Sequence, residues 1–144
     1  MKTAKLFSVE YSTFVHATED YNKVLKAMEN LMPPRLRERK NVSVEETYGH
    51  YDNPIRIVKI TFRNPEYALQ ALAWLWGRML NLDKAYLIEN LDLHLDEKMR
   101  LYLRLDKQDA YLGLLRLSSG DDIIKVKFSF KGSKDEIREL LQQL

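Results

Sequence analysis

Apolar and polar residues alternate along several short stretches of this chain, and a period of two constrains those stretches to be strands. The pattern covers residues 4–16, with Phe7, Val9, Tyr11 and Val15 on one face, and begins again at Val42 and Val44. It continues in Ile55, Ile57, Val58, Ile60 and Phe62, in Leu91, Leu93 and Leu95, over 99–105, and in Ile124, Val126, Phe128 and Phe130. Helical stripes separate these strands: Val24, Leu25, Met28, Leu31 and Met32; Leu69, Leu72, Ala73, Trp76, Met79 and Leu80; Ile137, Leu140, Leu141 and Leu144. Thr18 is placed to cap the first helix, Asn64-Pro65-Glu66 to start the second, and Ser133-Lys134-Asp135-Glu136 to form a capping box for the third. Residues 81–90 read either as an extension of the second helix or as a short helix of their own. Pro33-Pro34 ends the first helix and leaves 35–41 as an extended, charged connector. Asp96-Glu97-Lys98 reads as a hairpin turn joining 91–95 to 99–105, and Gly49–Pro54 and Ser118-Ser119-Gly120 read as turns. Hairpin-like connections of this kind predict an α+β fold with two layers, a largely antiparallel sheet with helices packed on one face, as a single domain over 1–144. The other face of such a sheet is wet or free for a partner.

The 144 residues suffice to bury a core without covalent staples. The chain has no cysteine, which excludes thiol catalysis, disulfides and cysteine-bound zinc and fits a cytoplasmic setting. No apolar run approaches the ~18 residues needed to cross a bilayer, so no membrane partner is expected. The first residues enter a strand pattern directly, so no signal peptide is expected. The formal net charge is only +2, and any nucleic-acid site must therefore come from local clustering.

Three places gather positive charge. Arg35-Leu36-Arg37-Glu38-Arg39-Lys40 holds four cations and one carboxylate. Arginine's planar fork can hold a phosphate through two hydrogen bonds, although a solvated loop would look the same. Lys125, Lys127, Ser129 and Lys131 share one face of the last strand, and Arg100, Tyr102 and Arg104 share one face of 99–105. If those two strands pair, they form a basic platform with one aromatic ring, suited to an RNA backbone and a stacked base. Outward positions of an ordinary antiparallel sheet look alike residue by residue, so only the combination carries weight. The third place is the corner Leu101–Gly113, where a strand runs into a short helix. Asp106 stands at its N-cap position and Gly113 at its C′ position, and Arg104, Lys107 and Gln108 cluster there as a potential phosphate site.

His16, His50 and His94 each have an acid nearby, Glu19, Asp52 and Asp96, but none has zinc-ligand spacing. There is no nucleophile elbow, Walker loop or Gly-x-Gly-x-x-Gly, and no cofactor is expected. Trp74 lies two residues from Trp76 and cannot share its helix face, so a subunit or partner contact is one reading and a helix buried on more than one side the other.

Thr13–Asp20 leading into Lys23–Ala27, then Glu45–Ile55, Tyr102–Gly113 and Asp121–Val126, resemble in order and spacing the archaeal RNA-binding domain proteins described as predicted exosome subunits. That family resembles the ribosomal protein that binds 5S RNA in fold. The resemblance covers nearly the whole chain, and Leu103-Arg104-Leu105-Asp106-Lys107-Gln108 is its most specific part. It implies an α+β two-layer fold and RNA binding without catalysis. Asp52 departs from the family's turn, which has glycine there.

Two main readings follow, beside a third in which a hydrolase uses His16 or His50 with the neighbouring acids. The first is a non-enzymatic RNA-binding protein in RNA processing or exosome- or ribosome-related work, with exosome subunits as partners. Its phosphate contacts would be Arg35, Arg37, Arg39, Lys40, Arg104 and Lys107, with Tyr102 for stacking, all on one outer surface. The second is a protein-interaction or structural module, such as a homodimer, motivated by the near-zero charge and Trp74.

Overall fold

The computed structural model describes residues 3–49 and 53–144. Its elements are β1 (Lys5–His16), α1 (Tyr21–Glu29), α2 (Pro34–Arg37), β2 (Val42–Tyr48), β3 (Pro54–Phe62), α3 (Pro65–Arg78), α4 (Asn81–Glu89), α5 (Leu91–His94), β4 (Arg100–Asp106), α6 (Lys107–Tyr111), β5 (Ile123–Lys131) and α7 (Lys134–Gln143). The five strands form one sheet in the order β2-β3-β1-β5-β4, and every neighbouring pair is antiparallel. This is the α+β architecture expected from the alternating stretches.

Cross-strand register sorts the side chains cleanly onto two faces. Val9 opposes Phe62 and Phe128, Tyr11 opposes Ile60 and Val126, and Leu103 opposes Val126. These residues are buried in one core with Leu72, Leu75, Met28 and Leu141 of the helices. The other face has no helix over it among the described residues, and there polar side chains take most of the outward positions.

Local signals that act within a few residues land where the sequence puts them. Asn64 Oδ1 accepts from the backbone N–H of Glu66 at 2.8 Å, and Asp106 Oδ2 accepts from that of Asp109 at 2.8 Å. Ser133 and Glu136 complete their reciprocal capping box. Gly113 sits at φ +82°, the left-handed position a helix-ending glycine supplies. Residues 81–89 form α4, a helix of their own capped by Asn90.

Other expectations give way to packing. Phe7 does not share a face with Val9: Leu6 pairs with Phe130 and Ser8 with Ser129, so Phe7 is an extra residue in a bulge and stands exposed. The first helix is capped by Asp20 rather than Thr18, with Oδ1 accepting from Asn22 N–H at 2.9 Å. Pro34 opens α2 instead of leaving an extended connector, because a first-turn proline forfeits no helical hydrogen bond and the buried Leu36 anchors the turn. The buried stripe of α3 is Ala68, Ala71, Leu72, Leu75, Trp76 and Met79, one residue away from the expected one, and Leu69 and Leu80 are exposed. The two alanines let α3 lie close against β1. Leu91, Leu93 and Leu95 do not make a strand: Leu87 and Leu91 are buried at a helical i,i+4 spacing, and the hairpin shrinks to a single Leu95–Leu101 bridge. His50, Tyr51 and Asp52 lie outside the described residues.

Tyr11 is fully buried in the centre of the sheet, and its hydroxyl has no hydrogen-bond partner among the described residues. Tyr11→Phe removes an unpaired polar atom while keeping the ring. It is expected to leave thermal stability unchanged or raise it by up to about 1 kcal/mol, measured by denaturant unfolding. A loss of more than that would show that the hydroxyl is satisfied in solution.

Candidate nucleic-acid interface

The uncovered face carries ordered cross-strand rows. Lys59 opposes Ser12, Ser12 opposes Lys125, and Lys125 opposes Arg104, so three cations from β3, β5 and β4 lie in one line across four strands. None of the three forms an ion pair among the described residues. Arg104 Nη2 donates to Gly120 O at 2.9 Å, which holds its guanidinium on this face. Next to that row lies an apolar one. Phe14 opposes Ile57, and Phe14 is 51% exposed although it sits in the middle of the sheet. Phe14, Ile57 and Ile123 with Lys59, Lys125 and Arg104 line a concavity of about 540 Å³, which Asp121 also borders. On the other flank Glu10 pairs with Lys127 at 3.3 Å, removing that lysine from the free set.

Tyr102 faces this surface as expected, opposite Lys127, with the Lys125 ammonium 5.6 Å from its ring centre. Its hydroxyl donates to Asp96 Oδ2 at 3.2 Å. Partial burial raises the Tyr102 pKa above its ordinary value, partly opposed by the Arg100 charge, so the phenol stays protonated. Asp96 also accepts from Arg100 Nε at 2.6 Å. Its own burial works against ionisation, but the hydrogen bonds from Arg100 and Lys98 hold its carboxyl below the usual range. Arg100 is thus neutralised, and Tyr102 is fixed at the edge of the platform.

Lys107 goes elsewhere. It is 4% exposed, and its ammonium donates to Phe14 O at 2.8 Å and lies 3.3 Å from Glu19 and 3.1 Å from Asp122. Three donors thus meet three acceptors, and Gln108 Nε2 donates to Asp122 as well at 2.9 Å. Asp122 loses some hydration by partial burial, but the hydrogen bonds from Gln108 and Lys107 and the Lys107 charge hold its carboxyl below the usual range. The corner thus binds its own carboxylates and pins the end of β1, with Phe14, in place. Arg104 is the only one of its three polar residues that reaches the uncovered face.

The 35–40 segment lies on the helical layer. Arg37 stands 5.9 Å from the Trp74 ring, and Arg39 stands 5.6 Å from the Tyr67 ring and donates to its hydroxyl at 2.7 Å. Tyr67 in turn meets the core residue Phe62 edge-on at 6.2 Å. Lys40 pairs with Glu29 at 3.0 Å, and Arg35 is exposed. The expectation that all these cations share one surface therefore fails: Arg104 lies on the bare sheet face, Arg35, Arg37, Arg39 and Lys40 lie on the helical layer, and Lys107 lies inside. Trp74, which pointed to a partner contact, is half-buried with Arg78 stacked 4.1 Å above its ring.

His16 ends β1, whereas His94 ends α5 and meets the Tyr86 ring at 5.5 Å. No cluster of three metal-ligating side chains occurs among the described residues, and no helix among them is long and apolar enough to cross a membrane.

Lys59 and Phe14 were not singled out by sequence reasoning. A signal for each was present: Phe14 is apolar at a polar-phase position of β1, and Lys59 is a cation set between the β-branched Val58 and Ile60 of β3.

A bare antiparallel sheet with a half-exposed aromatic ring beside unpaired cations is the architecture of sheet-based modules that bind single-stranded nucleic acid. A family model described as RNA binding matches residues 8–130, and the chain belongs to that RNA-binding family. It is 38% identical over 126 residues to the RNA-binding protein PAB1135 of Pyrococcus abyssi, covering 86% of this chain and 81% of that one. It is 37% identical over 143 residues to the uncharacterized protein MJ0213 of Methanocaldococcus jannaschii, covering 94% of this chain and 95% of that one. The crystal structure of the DUF54 protein SSO0741 from Sulfolobus solfataricus matches with a TM-score of 0.78 at 32% identity, over 94% of this chain and 98% of that one. An archaeal RNA-binding family is what the sequence resemblance implied.

The Lys107 corner generates a stability prediction. The Asp122 pKa is depressed in the folded state, so its contribution is present above the unfolded carboxylate value of about 3.9 and is lost as pH falls through the lower folded value. Asp122→Asn should flatten the acid limb of a thermal-melt series below about pH 4. Lys107→Met should cost about 1–3 kcal/mol at neutral pH by leaving Phe14 O, Glu19 and Asp122 without their shared donor. An unchanged acid limb in the first variant, or full stability in the second, contradicts this account.

Proposed function

We propose that this chain is a non-catalytic RNA-binding protein whose principal contact is the uncovered sheet face. The observation that carries the reading is the row Lys59–Lys125–Arg104, three cations without carboxylate partners among the described residues, beside the half-exposed Phe14. Phosphates would track along the row. One base would enter the concavity against Phe14, Ile57 and Ile123, because an apolar floor rewards a π-face of any identity. Tyr102 would border that track as a weaker stacking surface, its hydroxyl tethered to Asp96. Arg35, Arg37, Arg39 and Lys40 are proposed as further phosphate contacts outside this face. For Lys107 we propose a positioning role, since its donors already hold Phe14 O, Glu19 and Asp122.

Three phosphates neutralised on a single strand give a salt slope near −2. Lys59→Gln with Lys125→Gln should reduce that slope by about 1.4. Phe14→Ala should weaken binding of single-stranded RNA by about 5- to 150-fold, from a stacking contribution of about 1–3 kcal/mol per base, with no loss of fold. Fluorescence anisotropy at several salt concentrations reads both effects. Affinity unchanged in both variants would contradict the sheet-face reading.

The proposal extends to work in RNA processing beside exosome or ribosome components, on the strength of the family resemblance alone. Affinity capture of the tagged protein from its own cells, with RNA digested, should then recover such components; their absence would remove this extension. A second reading, a protein-interaction module pairing as a homodimer, draws on one feature. β2 is an unpaired sheet edge whose seven residues are all exposed, Val42, Val44 and Tyr48 among them. A monomer by light scattering at working concentration would dismiss it.

A further inference from the structure

We infer that the helical layer carries a second, independent RNA-backbone surface, so that one molecule bridges two RNA segments held on opposite sides of the sheet. The surface is a set of arginines ordered by aromatic rings instead of by carboxylates. Trp74 has two arginines near its ring, Arg78 at 4.1 Å from the ring centre and Arg37 at 5.9 Å. Tyr67, seven residues earlier on the same helix and hence about 10 Å along its axis, orders Arg39 at 5.6 Å.

Backbone carbonyls complete the positioning: Arg37 Nε donates to Met32 O at 3.2 Å, and Arg78 Nη1 donates to Trp74 O at 3.5 Å. Arg39 spends Nη1 on the Tyr67 hydroxyl at 2.7 Å, Arg37 its Nε and Arg78 its Nη1 on backbone carbonyls, and the remaining N–H groups of each guanidinium stay available while these contacts meet in advance part of the entropy of ordering a long side chain. Glu38 and Glu66 are the acids in the flanking sequence, and neither pairs with Arg37, Arg39 or Arg78 among the described residues. Planar forks fixed in this way match the bidentate geometry of phosphate oxygens.

The two surfaces cannot serve one short RNA at once. Tyr67 packs on Phe62, which faces the covered side of β3, whereas Lys59 of the same strand faces the uncovered side. The sheet therefore stands between the two sets of cations. The bridging half of the inference rests on the sheet-face reading above; the arginine surface does not.

The test is a sandwich capture. A short biotinylated RNA is held on beads, the protein is added, and a fluorescent RNA of unrelated sequence is captured through it. Wild-type protein, taken from a fraction that light scattering shows to be monomeric, should capture the second RNA and bind two RNAs per chain at saturation. The triple variant Arg37→Gln, Arg39→Gln, Arg78→Gln should lose capture by about ten-fold or more while still binding one RNA through the sheet. The corresponding triple Arg→Lys variant, which keeps the charge and loses the fork, should fall between the two and guards against a folding artefact, with thermal melts as the control. The variant Lys59→Gln, Arg104→Gln, Lys125→Gln should likewise lose capture and keep one RNA. Capture by the Arg→Gln variant at the wild-type level, or one RNA per wild-type chain, overturns the inference. If instead the sheet variant binds and captures as wild type does, the sheet-face reading fails and bridging across the sheet fails with it.

Discussion

An antiparallel sheet with helices on one side only must satisfy two incompatible environments with a single alternating pattern. Everything distinctive about this molecule follows from how its strands meet that constraint. On the covered side, Val9, Tyr11, Ile60, Val126, Phe128 and Leu103 form a continuous apolar layer under α1, α3 and α7. On the other side the same strands present Lys59, Ser12, Lys125 and Arg104 in one row. A one-residue slip in any of these pairings would exchange the two sets, so register and surface chemistry are one decision.

Charge is divided between structure and surface by partner availability. Lys107, Lys127, Arg100 and Lys40 each meet a carboxylate within salt-bridge distance. The row across the sheet does not, and Arg37, Arg39 and Arg78 lie beside aromatic side chains instead. A chain whose formal net charge is only +2 can therefore present concentrated positive regions, because most of its carboxylates lie elsewhere or are already used. Lys107 links the two roles: its buried ammonium neutralises Glu19 and Asp122 and at the same time fixes the backbone at Phe14.

Legibility in the sequence followed the range of the forces involved. The caps at Asn64, Asp106 and Ser133 act within three residues and were readable. So was the basic face shared by β4 and β5, because both strands alternate without interruption. The α3 stripe was misplaced by one residue because Leu69 and Ala68 fit a helical period equally well, and only contact with the sheet decides between them. The bulge at Phe7 depends on its partner in β5, more than 120 residues away. The fate of Lys107 depended on Glu19, 88 residues distant, so a local count of positive charge at that corner could not see its neutralisation. The split of the cations between two layers has the same origin: Arg37 and Arg104 look alike in sequence, and topology alone sends them to opposite sides.

The central claim is that RNA lies on the bare sheet face with a base against Phe14. Ultraviolet crosslinking of the protein to single-stranded RNA, followed by mass spectrometry of the adducted peptides, tests it at residue level. The account predicts adducts on Phe14 of β1 and on the β5 peptide that carries Lys125. Adducts confined to α4 and α7, with β1 and β5 unmodified, would contradict it.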